Sequence, residues 1–216
     1  ALAKAIDAHF GGEVGGYDTY RYYDGNTLLR SWICMPLIVG LRERCEGTVR
    51  ALLSPELLTD DGLLTEQGGT TFWDRSTLYA LRGIYNAGYA DRATEMLHCY
   101  SQRRLLGDHV PYPIEAWPEG SQRHLSAESG LYCRIVTEGL FGIRPAGLRS
   151  FDLTPGMPSA WERMSLRRIR AFDADFDISV GREVGGKLRI TVMQAGKKPK
   201  IYRAAPGATI RVKLTD

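Results

Sequence analysis

Near residue 147 the apolar residues of this chain change their spacing, and that change restricts the fold to two kinds of layer. Upstream, Leu78, Leu81, Ile84 and Tyr85, then Ala93, Met96, Leu97 and Tyr100, recur at helical spacing, which lines one face of an α-helix with core-seeking side chains. Asn86-Ala87-Gly88-Tyr89 lies between the two runs, so they read as a helical hairpin. A third helix is predicted over Cys34 to Leu53, stopping where Ser54-Pro55 forbids its continuation. A fourth is predicted from a Ser126 cap through Leu131, Ile135 and Val136 to Gly139. Downstream the period falls to two: Phe176, Ile178 and Val180, a Gly185-Gly186 turn, then Leu188, Ile190 and Val192, and finally Ile210, Val212 and Leu214. That alternation belongs to half-buried antiparallel strands. The expected class is α+β, with a helical-hairpin region over residues 1–147 and a small antiparallel β-sandwich-like domain over 148–216. The second region is short for an independent core and is expected to pack on the helices.

Composition narrows the chemistry. At 44% hydrophobic and 25% charged over 216 residues, the chain can bury a core and is not a disordered segment. Its 28 Lys and Arg nearly balance 25 Asp and Glu for a formal +3, and no basic run or aromatic-basic ladder occurs. Nucleic acid, or any other polyanion, is therefore not the expected partner. No apolar stretch reaches the ~20 residues that span a bilayer, so membrane insertion is not expected. Cys34, Cys45, Cys99 and Cys133 form no CxxC pair, and His9, His98, His109 and His124 lack metal-ligand spacing. Free structural thiols and no metal are expected. No P-loop, GxSxG or dinucleotide fingerprint in strand-to-helix context is present, and no cofactor is expected.

Three loops mix the residue types that a sugar needs: aromatic faces for its C–H surfaces and paired donors and acceptors for its hydroxyls. Thr65 to Tyr79 brings Phe72, Trp73, Asp74 and Arg75 to the start of a helix after Gly68-Gly69. Residues 109–124 carry Tyr112, Glu115, Trp117, Glu119, Arg123 and His124 among Pro111, Pro113, Pro118 and Gly120, and long irregular loops of this kind more often serve function than spacing. Residues 17–26, YDTYRYYDGN, form a third aromatic and acidic cluster, read equally as a cleft wall or an ordinary loop. The plainer reading is that Phe72 and Trp73 fill the hairpin core and that Glu115 and Glu119 are solvated loop charges.

Gly68-Gly69-Thr70-Thr71-Phe72-Trp73, followed by LYALRGIYNAGY at 78–89, resembles the segment of the six-hairpin, (α/α)6-barrel glycosidases that joins a glycine-rich turn to a helical hairpin. The processing α-glucosidase and trehalase group is the most similar branch. PIEAWPEGSQRHLSAESGLYCRIV, residues 113–136, resembles that group's element carrying the general base, and LTPGMPSAWERMSLRRIR, residues 153–170, is similar to the β-domain that follows the barrel.

The resemblance implies a glycoside hydrolase acting on an oligosaccharide or glycoside, with Glu115 as the general base. Glu119 stays open as the alternative, since Phe72-Trp73 stands where the family has Trp-Pro and Glu115-Ala116-Trp117-Pro118 replaces its usual acidic tetrad. It assigns Trp73, Tyr112 and Trp117 to sugar stacking, and Asp74, Arg75, Arg123 and His124 to hydrogen bonding. Such barrels contain twelve helices, so the toroid is expected to be incomplete here, the general acid to lie outside this chain, and the missing N-terminal part of the protein to be a partner. A non-catalytic carbohydrate-binding protein with the same fold is the alternative, and a phosphorylase using Arg123, His124 and Ser126 a weaker one. The compartment stays open, with a periplasmic or secreted setting as the expectation.

Overall fold

The computed structural model describes residues 1–106, 112–117 and 126–215. They fall into two compact units: Ala1–Ile135 carries the α-helices together with three short antiparallel ribbons that the spacing does not announce, and Val136–Asp216 is mainly antiparallel strands. The division lies before the compositional change near 147, because the strands already begin at Ile143.

The first unit opens with α1 (Leu2–Phe10) and a hairpin of β1 (Gly11–Val14) and β2 (Tyr17–Tyr20). Gly15 and Gly16 form the tight turn with φ of 59° and 80°, values that suit a two-residue hairpin loop. The aromatic-acidic segment 17–26 is therefore strand in its first four residues. Arg44 fastens this hairpin by pairing with Asp7 at 2.9 Å and with Asp18.

The single helix predicted over Cys34 to Leu53 is two. A 3-10 turn (Ser31–Cys34) runs into α2 (Met35–Ile38), and α3 (Cys45–Leu52) starts afresh. Pro36 suits the first turn of a helix, where its missing N–H costs nothing. Gly40 then takes a φ of 84° and ends that helix. After α3, Ser54 closes the chain back on itself, its Oγ donating to the Ala51 carbonyl at 2.7 Å just before Pro55.

Gly47 faces β2 so closely that a Cβ there would land on the Asp18 carbonyl oxygen. Gly47→Ala should therefore destabilise the protein by about 1–3 kcal/mol from overpacking, although alanine is the better helix former by ~1 kcal/mol. A urea titration reads the sign directly.

Two short ribbons, β3 (Leu58–Thr59) with β4 (Gly62–Leu63) and β5 (Phe72–Trp73) with a later strand, lead into α4 (Asp74–Asn86) and α5 (Ala90–Arg104). This is the predicted helical hairpin. Leu78, Leu81, Ile84 and Tyr85 of α4 and Ala93, Met96 and Tyr100 of α5 are buried. Gly88, at φ 92°, ends α4: its N–H reaches the Tyr85 carbonyl at 2.9 Å and the Tyr89 N–H reaches Ile84 at 3.1 Å, the paired bonds of a Schellman stop. Beyond them lie β6 (Ala116–Trp117) and α6 (Ser126–Arg134), which continues as a π-helical turn (Ile135–Leu140).

The second unit contains a three-stranded antiparallel sheet, β7 (Ile143–Gly147), β8 (Ser150–Leu153) and β13 (Ile210–Lys213), in the order β13-β8-β7. The second sheet has β9 (Arg163–Ala171), β10 (Ala174–Arg182), β11 (Leu188–Gln194) and β12 (Lys200–Ala204), in the order β12-β11-β10-β9. Phe151 of β8 stacks on Phe176 of β10 at 5.3 Å, joining the two sheets through their apolar faces. The alternation read from the sequence is observed: Phe176, Ile178, Val180, Leu188, Ile190 and Val192 all point inward. Gly185 and Gly186, at φ 87° and 82°, make the turn between β10 and β11.

None of the four cysteines is in a disulfide. Cys34 is fully buried, and burial pushes its thiol pKa up to about 12, whereas Cys99 and Cys133 are exposed. Under native conditions a thiol reagent near pH 8 should consume Cys99 and Cys133 quickly and Cys34 only on unfolding, because the attacking species is the thiolate. Peptide mapping of the labelled sites checks this. Among the described residues no helix is long and apolar enough to cross a membrane, and no cluster of His, Cys, Asp and Glu could hold a metal ion.

Candidate functional site

The N-terminus of α4 organises the loop that the sequence singles out. Asp74, its first residue, accepts the Ile114 N–H through Oδ2 at 2.7 Å and pairs with Arg104 of α5 through Oδ1 at 3.0 Å. The side chains of Asp74 and Arg104 are only 1% and 3% exposed. The sequence makes Asp74 a candidate for binding a substrate hydroxyl, and its position corrects that reading. Sealed from solvent, Asp74 instead ties residues 112–117 to both helices of the hairpin. Tyr100 lies beside it, and its hydroxyl pKa is raised, first by burial and then by the Asp74 charge. The same tether is reinforced by backbone pairing, since β5 and β6 place Phe72 opposite Trp117 and Trp73 opposite Ala116.

Fixed in this way, Glu115 projects outward with its side chain 55% exposed, and its Oε1 lies 3.5 Å from an Arg75 terminal nitrogen. The Nε of the same guanidinium donates to Glu128 Oε1 of α6 at 2.6 Å. Glu128 is fully buried, and its second oxygen has no hydrogen-bond partner among the described residues. The arginine thus joins two carboxylates of opposite environment, one wet and one dry. Its own pKa is raised above the ordinary value, chiefly by the hydrogen bond to Glu128, with the charge of Glu115 and the neighbouring Tyr79 adding to it.

Next to this polar group lies an aromatic one. Tyr79 sits one helical turn from Arg75 on the same side of α4. Trp32 contacts Tyr79 at 6.0 Å and Trp73 edge-to-face at 5.9 Å, while the Arg82 guanidinium lies 5.4 Å from the Tyr79 ring centre. Phe72, Trp73, Trp32 and Tyr79 are all half-buried rather than sealed in the core, so ring surface remains accessible beside the Arg75 group. Tyr112 is half-buried as well.

Of the residues expected at the site, the structure brings together Arg75 and Glu115, while Trp73 packs on Trp32 and pairs through its backbone with Ala116, next to Glu115, and Asp74 is buried. Trp117 is placed by its backbone alone. Glu119, Arg123 and His124 lie outside the described residues. Sequence reading did not single out Glu128, Trp32 or Tyr79 as site residues. Glu128 is 53 positions from Arg75, and no local spacing announces a contact made by tertiary folding; Trp32 and Tyr79 carried only the aromatic signal that any core residue also gives.

No known family model matches this chain, and no curated protein matches it.

Proposed function

We propose that this chain is the C-terminal part of a six-hairpin glycoside hydrolase: helical hairpins of an incomplete (α/α)6 toroid followed by its β-domain. Glu115 removes a proton from water as the water oxygen attacks the anomeric carbon, and a carboxylic acid from outside this chain protonates the departing glycosidic oxygen. The observation that carries the reading is the exposed Glu115 carboxylate held against Arg75 beside a half-buried aromatic cluster.

Arg75 fixes the direction of that carboxylate, and Glu128 fixes Arg75. Glu128 is too deeply buried to meet a sugar, so its part is positioning. Two carboxylates in contrasting surroundings are how one site separates acid, base and orienting roles. The rings of Trp73 and Trp32 offer the apolar faces on which a sugar stacks, and the donors of Arg75 take its hydroxyls.

The test is hydrolysis by the intact enzyme that contains this chain, assayed over neutral and acidic oligosaccharides by release of new reducing ends. Turnover on at least one glycoside is expected. Saturable oligosaccharide binding without any turnover would favour a carbohydrate-binding protein of the same fold.

A further inference from the structure

The near-neutral total charge hides a strong asymmetry. Val136–Asp216 holds 15 Lys and Arg against 8 Asp and Glu, a formal +7, while Ala1–Ile135 holds 13 against 17, a formal −4. Part of the positive charge is concentrated by strand register on the open face of the β12-β11-β10-β9 sheet. Gly181 of β10 stands between Arg163 of β9 and Arg189 of β11, and Arg189 is paired in turn with Arg203 of β12. The next row on this face reads Ser165, Ser179 and Thr191.

Arg163 and Arg189 therefore face each other across a residue without a side chain, two strand spacings or ~9.5 Å apart. The result is an open trough of about 630 Å³ lined by both arginines, Arg167 and the hydroxyl row. Arg163, Arg167 and Arg189 form no ion pair among the described residues, and the three hydroxyls form no hydrogen bond there. The acids on this face are already engaged: Glu183 pairs with Arg203 at 3.0 Å, and Asp177 accepts the Arg168 N–H at 2.7 Å.

We propose that this trough binds an acidic polysaccharide, with Arg163 and Arg189 taking sugar carboxylates and Ser165, Ser179 and Thr191 taking neighbouring hydroxyls. The choice of a glycan rests on the function proposed above; the choice of an anionic one rests on the sheet alone. Guanidinium groups match carboxylates bidentately. Among the described residues no aromatic side chain lines the trough, so they supply no stacking platform of the kind that single-stranded nucleic acid uses.

The probe is polygalacturonate, titrated calorimetrically against this chain at physiological salt, with dextran as the neutral control and oligo-dT as a second polyanion. Saturable binding of polygalacturonate, no binding of dextran and at least tenfold weaker binding of oligo-dT are expected. The double variant Arg163→Ala/Arg189→Ala should lose at least tenfold in affinity. Gly181→Glu should do the same while preserving the fold, because a Cβ at that position meets nothing nearer than the Glu162 carbonyl oxygen at 3.8 Å and its carboxylate would occupy both arginines. Should the double variant misfold, Gly181→Glu decides.

Unchanged affinity in a folded variant, equal binding of dextran, or equal binding of oligo-dT would overturn the proposal. So would a wild-type dimer in sedimentation that these substitutions dissociate, since a second copy would then be the occupant. Hydrolysis without polygalacturonate binding would sink this inference and leave the enzymatic reading standing; binding without hydrolysis would do the reverse.

Discussion

Asp74→Ala is expected to lower the stability of this protein by about 3–5 kcal/mol, the usual cost of removing one member of a buried ion pair. The reason lies in what is left behind. Arg104 is 3% exposed and faces Asp74 Oδ1 at 3.0 Å, so its buried charge would lose the Asp74 carboxylate. The Ile114 N–H would lose its acceptor as well. Against an ordinary total of 5–15 kcal/mol, this is a large fraction. With an m-value of ~1–3 kcal/mol/M, the urea midpoint should fall by roughly 1–5 M. Asp74→Asn should fall between wild type and Asp74→Ala, because an amide oxygen can still accept from Ile114 while the charge is gone. A loss below ~1 kcal/mol for Asp74→Ala would mean that the pair is not sealed from water, since that is the range of exposed ion pairs.

The parts of the fold most legible in the sequence, beside the start of α6 at Ser126, are those in which a local pattern agrees with the tertiary environment. The α4–α5 hairpin is one: its apolar residues fall on one stripe, and Gly88 supplies the left-handed residue that stops α4. The β10–β11 hairpin is the other, where alternation and Gly185-Gly186 agree. The break at Gly40 was missed because a glycine inside an apolar run costs a helix only ~1 kcal/mol; only the left-handed φ tells that the helix has ended there.

At the site, residue types were legible and partnerships were not. Arg75 and Glu115 stood out through their loop context, but Asp74 and Arg75 looked equivalent as adjacent charged residues. Folding separates them completely: Asp74 turns into the hairpin to meet Arg104, and Arg75 turns out to join Glu115 and Glu128. Which way each points depends on α5 and α6, and no spacing within residues 65–79 encodes that.

On the proposed glycosidase reading, Glu115→Gln carries the second large effect. A positioned general base contributes ~10²–10⁴-fold to the rate, so kcat should fall by that factor, equivalent to about 3–5 kcal/mol of barrier at ~1.4 kcal/mol per tenfold. KM should stay within a few-fold, since glutamine keeps the size and hydrogen-bonding reach of the side chain. Stability should hardly change, because Glu115 is 55% exposed and its contact with Arg75 is a long 3.5 Å. That combination separates a catalytic carboxylate from a solvated loop charge, which would alter neither quantity, and from a structural one, which would lower the melting temperature.

The most direct test of the proposed function is accordingly the turnover of Glu115→Gln beside wild type on a glycoside that the wild-type protein is found to cleave, at matched folding and saturating substrate. A loss of a hundredfold or more with an unaltered melting curve is the expected result. Turnover within threefold of wild type would show that Glu115 is not the base.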